Sequence, residues 1–201
     1  QVEQISYDFS SKGYALCVVN TGGSHADLTD EYAAIPKEMR MIAAYFGKEV
    51  LREVDAGALM ENISELRRLP GGDRALLRAL HFKGENERVE KQAVALKQDD
   101  IRTFLELVRE SGRSSYCLLQ NVTSAKSTAE QGVALGLALS ERILKGRGIC
   151  RVHGGGFAGT LQAYVPLDMV EEYKSSMEHI FGEGSCYLLR IRPCGGIEIQ
   201  L

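Results

Sequence analysis

The sequence predicts an α+β fold: a mostly antiparallel sheet with helices and a large helical insertion. Three observations carry this. Apolar runs of strand length sit near the two ends of the chain, at 14–20 and then at 148–152, 160–165 and 187–192. Long stretches of helical periodicity fill the middle, between Thr29 and Lys145. A glycine-rich turn joins the second and third runs, and a helical stretch separates the third from the fourth. Strands gathered at the ends and helices in the middle argue against alternating, doubly wound α/β. The order fits a ferredoxin-like sheet with a helical insertion.

Each element has a local reason. Residues 14–20, Tyr-Ala-Leu-Cys-Val-Val-Asn, form a near-continuous apolar run, as a strand buried on both faces does. Thr21-Gly22-Gly23-Ser24 breaks it, and Thr29 is the expected N-cap of a helix with Asp30 and Glu31 in its first turn. That helix runs through Phe46 to Gly47 and carries Pro36 inside it, a predicted kink. Residues 50–54 read as a short strand or extended link, and Asp55 as the cap of a helix to Leu69. Pro70-Gly71-Gly72 closes that helix, and Asp73 caps a longer one to about Gln98. Asp99 or Asp100 opens a helix through Val108; 116–124 is irregular, and 125–145 is helical. After the glycine turn, Pro166 ends a strand and Asp168 caps a helix through Phe181. A strand over 187–192 and a short one over 197–201 finish the chain.

The 201 residues suit one domain, or one large domain with insertions. A net charge of −3, with Lys and Arg scattered among acids, lacks the basic footprint of a nucleic-acid binder. No apolar run approaches the roughly 20 residues that span a bilayer, and no signal-peptide pattern opens the chain. The chain starts at Gln1 without a Met, which reads as a piece excised from a longer protein. The five cysteines, Cys17, Cys117, Cys150, Cys186 and Cys194, are odd in number and far apart. They read as buried, reduced thiols of a cytoplasmic protein. Cys150 and His153 have ligand-like spacing, but no second pair completes a zinc site.

Chemistry concentrates in Arg151-Val152-His153-Gly154-Gly155-Gly156-Phe157-Ala158-Gly159-Thr160. Four glycines exceed what a tight hairpin requires. Glycine permits positive φ and close approach of a ligand to the main chain, and successive free N–H groups can form an anion-binding concavity. Two readings stay open from these residues alone, a plain glycine-rich hairpin and a phosphate loop. P-loop and Rossmann fingerprints are excluded, because both run from strand into helix and this loop runs from strand to strand.

At these residues the chain resembles the third motif of the GHMP small-molecule kinases, and its wider context resembles the galactokinases. Asn20-Thr21-Gly22, His25 and Tyr32 match the family's spacing of an Asp/Asn-Thr-Gly turn, a His and a Tyr. His81 with Glu85-Asn86-Glu87-Arg88-Val89 resembles the family's His…Glu-Asn-x-Arg-Val segment. His81, Glu85 and Arg88 share one helix face by spacing, and the residues alone read as a solvated or domain-facing salt-bridged face. The chain departs from the family at Ile35-Pro36-Lys37, at Gly112 and Ser115, and at Ala129-Glu130-Gln131-Gly132, where galactokinases carry Glu-Leu-Asp.

The resemblance implies the C-terminal domain of an ATP-dependent kinase of galactose or a related sugar. Gly154, Gly155, Gly156, Phe157 and Gly159 would line the phosphate side, and Tyr32 would contact the sugar. The sugar motif, the serine-rich phosphate loop and the catalytic Asp would precede Gln1, in an N-terminal domain. No catalytic residue and no metal ligand is then expected in this chain, ATP and magnesium belong to the full-length protein, and the chain alone is inactive. A non-catalytic sugar- or nucleotide-sensing domain, or an interaction domain using the surface around Phe157, are the alternatives. On either glycine-loop function, a β-branched residue at Gly155 or Gly156 should lower turnover far more than stability.

Overall fold

The computed structural model describes residues 3–23 and 28–191. His25, Cys194, Arg192 and the strand expected over 197–201 lie outside the described residues. Strands β1 (Tyr14–Asn20), β2 (Ile149–Val152), β3 (Thr160–Pro166) and β4 (Cys186–Leu189) form one sheet in the order β2-β3-β1-β4. Every neighbouring pair is antiparallel, with Cys17 opposite Ala163 and Cys150 opposite the same residue on the other side. This is the ferredoxin-like arrangement. The glycine loop is the β2–β3 hairpin connection, as the two flanking runs predict.

The inserted segment contains α1 (Thr29–Tyr45), α2 (Ala56–Glu61), α3 (Ile63–Leu66), α4 (Gly72–Lys97) and α5 (Ile101–Ser114). A π turn, Ser115–Leu119, follows, and then α6 (Gly132–Leu144); α7 (Val170–Phe181) joins β3 to β4. No helix among the described residues is long and apolar enough to cross a membrane.

Strand alternation gives the sheet two unlike faces. One presents Cys17, Val19, Leu161, Ala163, Val165 and Cys186, and α6 and α7 cover it through Leu144, Tyr173 and Met177. Tyr173 is fully buried, and its hydroxyl is satisfied at 2.8 Å by Ser140. The other face presents Ile149 and Tyr164 to Phe104, Leu105 and Val108 of α5, with Phe9 edge-on to Tyr164 at 5.1 Å. Helix α5 can lie so close to β2 because Gly112 stands where a Cβ would meet that of Arg151 at 2.9 Å. A separate core, with Ile42, Leu59, Leu66 and Ala79, holds α1 to α4 together.

Several local expectations are corrected. Thr29 is the first helical residue, not the cap; Leu28 takes that place without a side-chain bond. Residues 51–53 form a 3-10 turn rather than a strand, because Leu51 and Val54 both turn into the helical core. Asp55 does cap, accepting from the Ala58 N–H at 2.9 Å, but the helix breaks at Asn62, whose side chain bonds the Ala58 carbonyl. Asp73 lies inside α4 and pairs with Arg67 instead of capping. Asp100 is the cap of α5, which extends six residues past Val108 to Ser114. Residues 125–131 are not helical; the segment is tied back to α1 by Glu31. Asp168 lies in a 3-10 turn and pairs with Arg147, and Met169 precedes α7. Cys17 and Cys186 are buried and Cys150 is half-buried, whereas Cys117 is exposed in the π turn.

The face carrying His81, Glu85 and Arg88 is not solvated. His81 is buried, with Nδ1 2.9 Å from Ser114 Oγ. Glu85 accepts from Arg88 Nε at 2.5 Å and from Ser111 Oγ at 2.7 Å, and Arg151 of β2 donates to the same Ser111 hydroxyl. Burial pushes the His81 pKa down. Burial of Glu85 acts to raise its pKa, but the bonds from Ser111 and Arg88 outweigh it and hold it below the usual value.

Candidate functional site

Three segments meet at the glycine loop: the loop itself, the first turn of α1, and the stretch after the π turn. Gly154 and Gly155 are exposed, whereas Gly156, Phe157 and Gly159 are buried. Gly154, Gly156 and Gly159 have φ of 71°, 81° and 88°. Phe157 also has positive φ, 60°, although it carries a side chain. That conformation is costly for a bulky residue and here accompanies a ring buried edge-on against Tyr32, centroids 5.3 Å apart.

The loop backbone is anchored from below. Tyr32 donates its hydroxyl to the Gly156 carbonyl at 2.7 Å. Asn121 donates from Nδ2 to the Gly155 carbonyl at 3.0 Å, and its backbone carbonyl accepts the Phe157 N–H at 2.5 Å. The N–H of Ala158 goes to Gly156 O and that of Gly159 to Gly22 O. Within the loop, Phe157, Ala158 and Gly159 thus have acceptors for their N–H groups. Among the described residues, only the N–H groups of Gly154, Gly155 and Gly156 within 154–159 meet no protein acceptor. No peptide is cis, so a Gly155 carbonyl aimed at Asn121 sends the Gly156 N–H to the side away from the Asn121 amide.

The glycines at 155 and 156 are needed for packing as well as for access. A Cβ on Gly155 would stand 2.7 Å from Tyr32 Cε1, and one on Gly156 would stand 2.0 Å from the Asn121 carbonyl oxygen. A valine at either position therefore strains the fold directly, and its effect on turnover would not stand apart from its effect on stability.

Beside the loop lies a cavity of about 580 Å³, bounded by Glu31, Arg74, Arg78, Tyr116, Lys126 and Phe157 among others. Glu31 accepts from Ser124 Oγ at 2.6 Å and from the Ala125 N–H at 2.8 Å, which pins the segment after the π turn to α1. Arg74 and Arg78 both pair with Glu38, Arg78 at 2.8 Å. Burial, then the Glu31 charge, raises the Tyr32 pKa, so its hydroxyl stays protonated and able to donate at neutral pH.

Sequence reasoning singled out Tyr32 and the loop, and the fold brings them together. It missed Asn121, whose only local signal is a polar Gln-Asn pair set between Leu119 and Val122. His153 and Cys150 do not converge: His153 bonds Gln162 at 2.8 Å, and Cys150 Sγ donates to the Leu137 carbonyl on the helix-covered face. No group of three or more His, Cys, Asp or Glu side chains among the described residues is arranged to hold a metal. Successive backbone N–H groups without a protein acceptor, as at Gly154, Gly155 and Gly156, can bind an anion.

No protein-family profile matches the chain. Individual proteins do. The chain is 31% identical over 160 residues to a galactokinase of Mannheimia succiniciproducens, covering 80% of this chain and 39% of that protein. It is 28% identical over 166 residues to a galactokinase of Actinobacillus pleuropneumoniae and 29% identical over 160 residues to one of Haemophilus influenzae. Among solved structures, Lactococcus lactis galactokinase complexed with galactose shares the fold with a TM-score of 0.66 at 22% identity, over 88% of this chain and 45% of that one. The chain spans about two fifths of the length of these relatives, 39% of the first and 40% of the second. Four fifths of the chain is thus similar in sequence to about two fifths of a galactokinase, and its sheet and helices share the fold of one.

Proposed function

We propose that the chain is the C-terminal domain of a galactokinase-like sugar kinase, which moves the γ-phosphoryl group of ATP to a hydroxyl of galactose or a related sugar. The observation that carries this is the glycine loop: its Gly154, Gly155 and Gly156 N–H groups are left for a ligand while Tyr32 and Asn121 hold its carbonyls inward. Phosphoryl transfer needs little covalent chemistry from the protein and much positioning and charge stabilisation. The loop would supply N–H donors to the phosphates, and Tyr32, at the edge of the loop, would lie on the sugar side. ATP supplies the transferred group, and magnesium, when bound, offsets phosphate charge; both would be held mainly by ATP-facing residues outside this chain. The partner of the domain is the N-terminal part that the longer relatives possess.

The test compares the longer protein with this chain alone. Incubated with ATP, magnesium and a panel of hexoses, the longer protein should phosphorylate at least one sugar, and the chain alone none. Turnover by the purified chain would refute the division of labour. Sugar or nucleotide binding by the longer protein without turnover would favour a sensing domain instead.

A further inference from the structure

We propose that Asn121 is the positioning residue of the glycine loop: it sets the direction in which the Gly156 N–H points. The proposal rests on the phosphate-loop reading for its bearing on turnover, though the geometry stands without it.

Asn121 touches the loop three times. Its Nδ2 donates to Gly155 O at 3.0 Å, its carbonyl accepts from Phe157 N–H at 2.5 Å, and its backbone fills the space a side chain at residue 156 would need. The two peptides on either side of Gly156 are thus fixed by one residue that lies 34 positions away in sequence. Tyr32 adds the second anchor, on Gly156 O.

The arrangement is kept at a cost in stability. Asn121 is 2% exposed, and its Oδ1 is buried without a hydrogen-bond partner among the described residues. A buried acceptor left unpaired is destabilising. Turning the amide over would not help, because it would set Oδ1 against the Gly155 carbonyl. The residue before it, Gln120, has a left-handed φ of 58° and follows a π turn. Across the contact, Phe157 is left-handed too. Backbone strain, a π turn and an orphan polar atom gathered at one contact mark a segment shaped for something other than stability. What the segment does is aim the loop.

The role separates Asn121 from the donors themselves. It does not touch a ligand; it acts through Gly155 and Gly156. Asn121→Asp keeps the size but turns the donor into an acceptor facing Gly155 O. Asn121→Ala removes the side chain, and Tyr32→Phe removes the other anchor and leaves Asn121 in place.

Two measurements test it. On this chain, amide hydrogen exchange at Phe157, Ala158 and Gly159 should rise about tenfold or more in Asn121→Asp and Asn121→Ala, with exchange in β1 and α7 unchanged. Unchanged loop exchange in the folded variants overturns the proposal, and a variant that fails to fold is replaced in this comparison by the other. In the longer protein, kcat should fall on the order of tenfold to a hundredfold, with KM for ATP and for sugar moving less than about threefold. A purely structural role would leave kcat per folded molecule untouched, and that result, with raised loop exchange, also overturns the proposal. If the unaltered longer protein phosphorylates no sugar, the kinase reading fails, and the exchange measurement alone decides whether Asn121 sets the loop.

Discussion

Tyr32 and Gly156 are joined by a 2.7 Å hydrogen bond that spans 124 residues of chain. The bond ties the first turn of α1, at the start of the helical insertion, to the hairpin between β2 and β3. Tyr32 therefore has a place in the loop before any sugar is considered.

Tyr32→Phe removes this bond and keeps the ring, so it should cost about 1 kcal/mol of stability. Tyr32→Ala also loses the ring that packs on Phe157 and closes over Gly155, and should cost about 3–5 kcal/mol. Urea midpoints of the two variants check this; equal losses would show that the ring contributes nothing.

The loop glycines should not be equivalent. Gly154 has positive φ but open space around its missing Cβ, so Gly154→Ala should cost only about 1–2 kcal/mol of backbone strain. Gly156→Ala meets the same strain and also the Asn121 carbonyl at 2.0 Å, so its melting temperature should fall further. Equal melting temperatures would mean that the Asn121 segment yields freely.

Arg78 is 3% exposed at its side chain and pairs with Glu38, which it shares with Arg74. Glu38→Gln leaves that guanidinium buried without its carboxylate and should cost about 3–5 kcal/mol. Denaturant unfolding checks it, and a loss below about 1 kcal/mol would show that Arg78 finds water or another acceptor.

Stability should fall as pH drops from about 7 toward 4. Burial depresses the His81 pKa, so below the ordinary imidazole value near 6.5 the unfolded chain takes up a proton that the fold resists. The contribution is full above that value and is lost as pH falls through the lower folded pKa. Glu85, also held below its usual value, adds a second loss below about pH 4.5. In His81→Gln the slope between pH 7 and 5 should flatten while the steeper acid limb remains; an unchanged slope would place the proton elsewhere.

Asp55 and Asp168 both precede helical segments, and only one caps. Asp55→Ala should cost about 1 kcal/mol by freeing the Ala58 N–H. Asp168→Ala breaks an exposed pair with Arg147 and should cost less than about 1 kcal/mol. Thermal melts of the two variants should separate; the reverse order would mean that the Arg147 pair anchors the turn before α7.

The places of the four sheet strands and the hairpin at the glycine loop are legible in the sequence, although β4 covers Cys186–Leu189 and stops short of the expected run to residue 192. The apolar run at 14–20 matches β1, and the runs flanking the glycines are paired in one hairpin. These features are legible because alternation, glycine clusters and helical periodicity report on neighbours a few residues away. Capping was legible less often: Asp55 and Asp100 cap, but Asp73 and Asp168 find arginines instead. A carboxylate's choice between a nearby N–H and a guanidinium depends on where the fold brings the arginine. The rest of the site depends on contacts between elements far apart in the chain. Nothing in the local sequence around Asn121 announces that it will lie under Gly155, or that Glu85, Ser111 and Arg151 from three elements will share one buried network. Those contacts join residues tens of positions apart, and their partners are selected by the packing of α4, α5 and the π turn against β2. Glycines at 155 and 156 look, in sequence, like room left for a ligand; the fold shows that part of that room is taken by Tyr32 and Asn121.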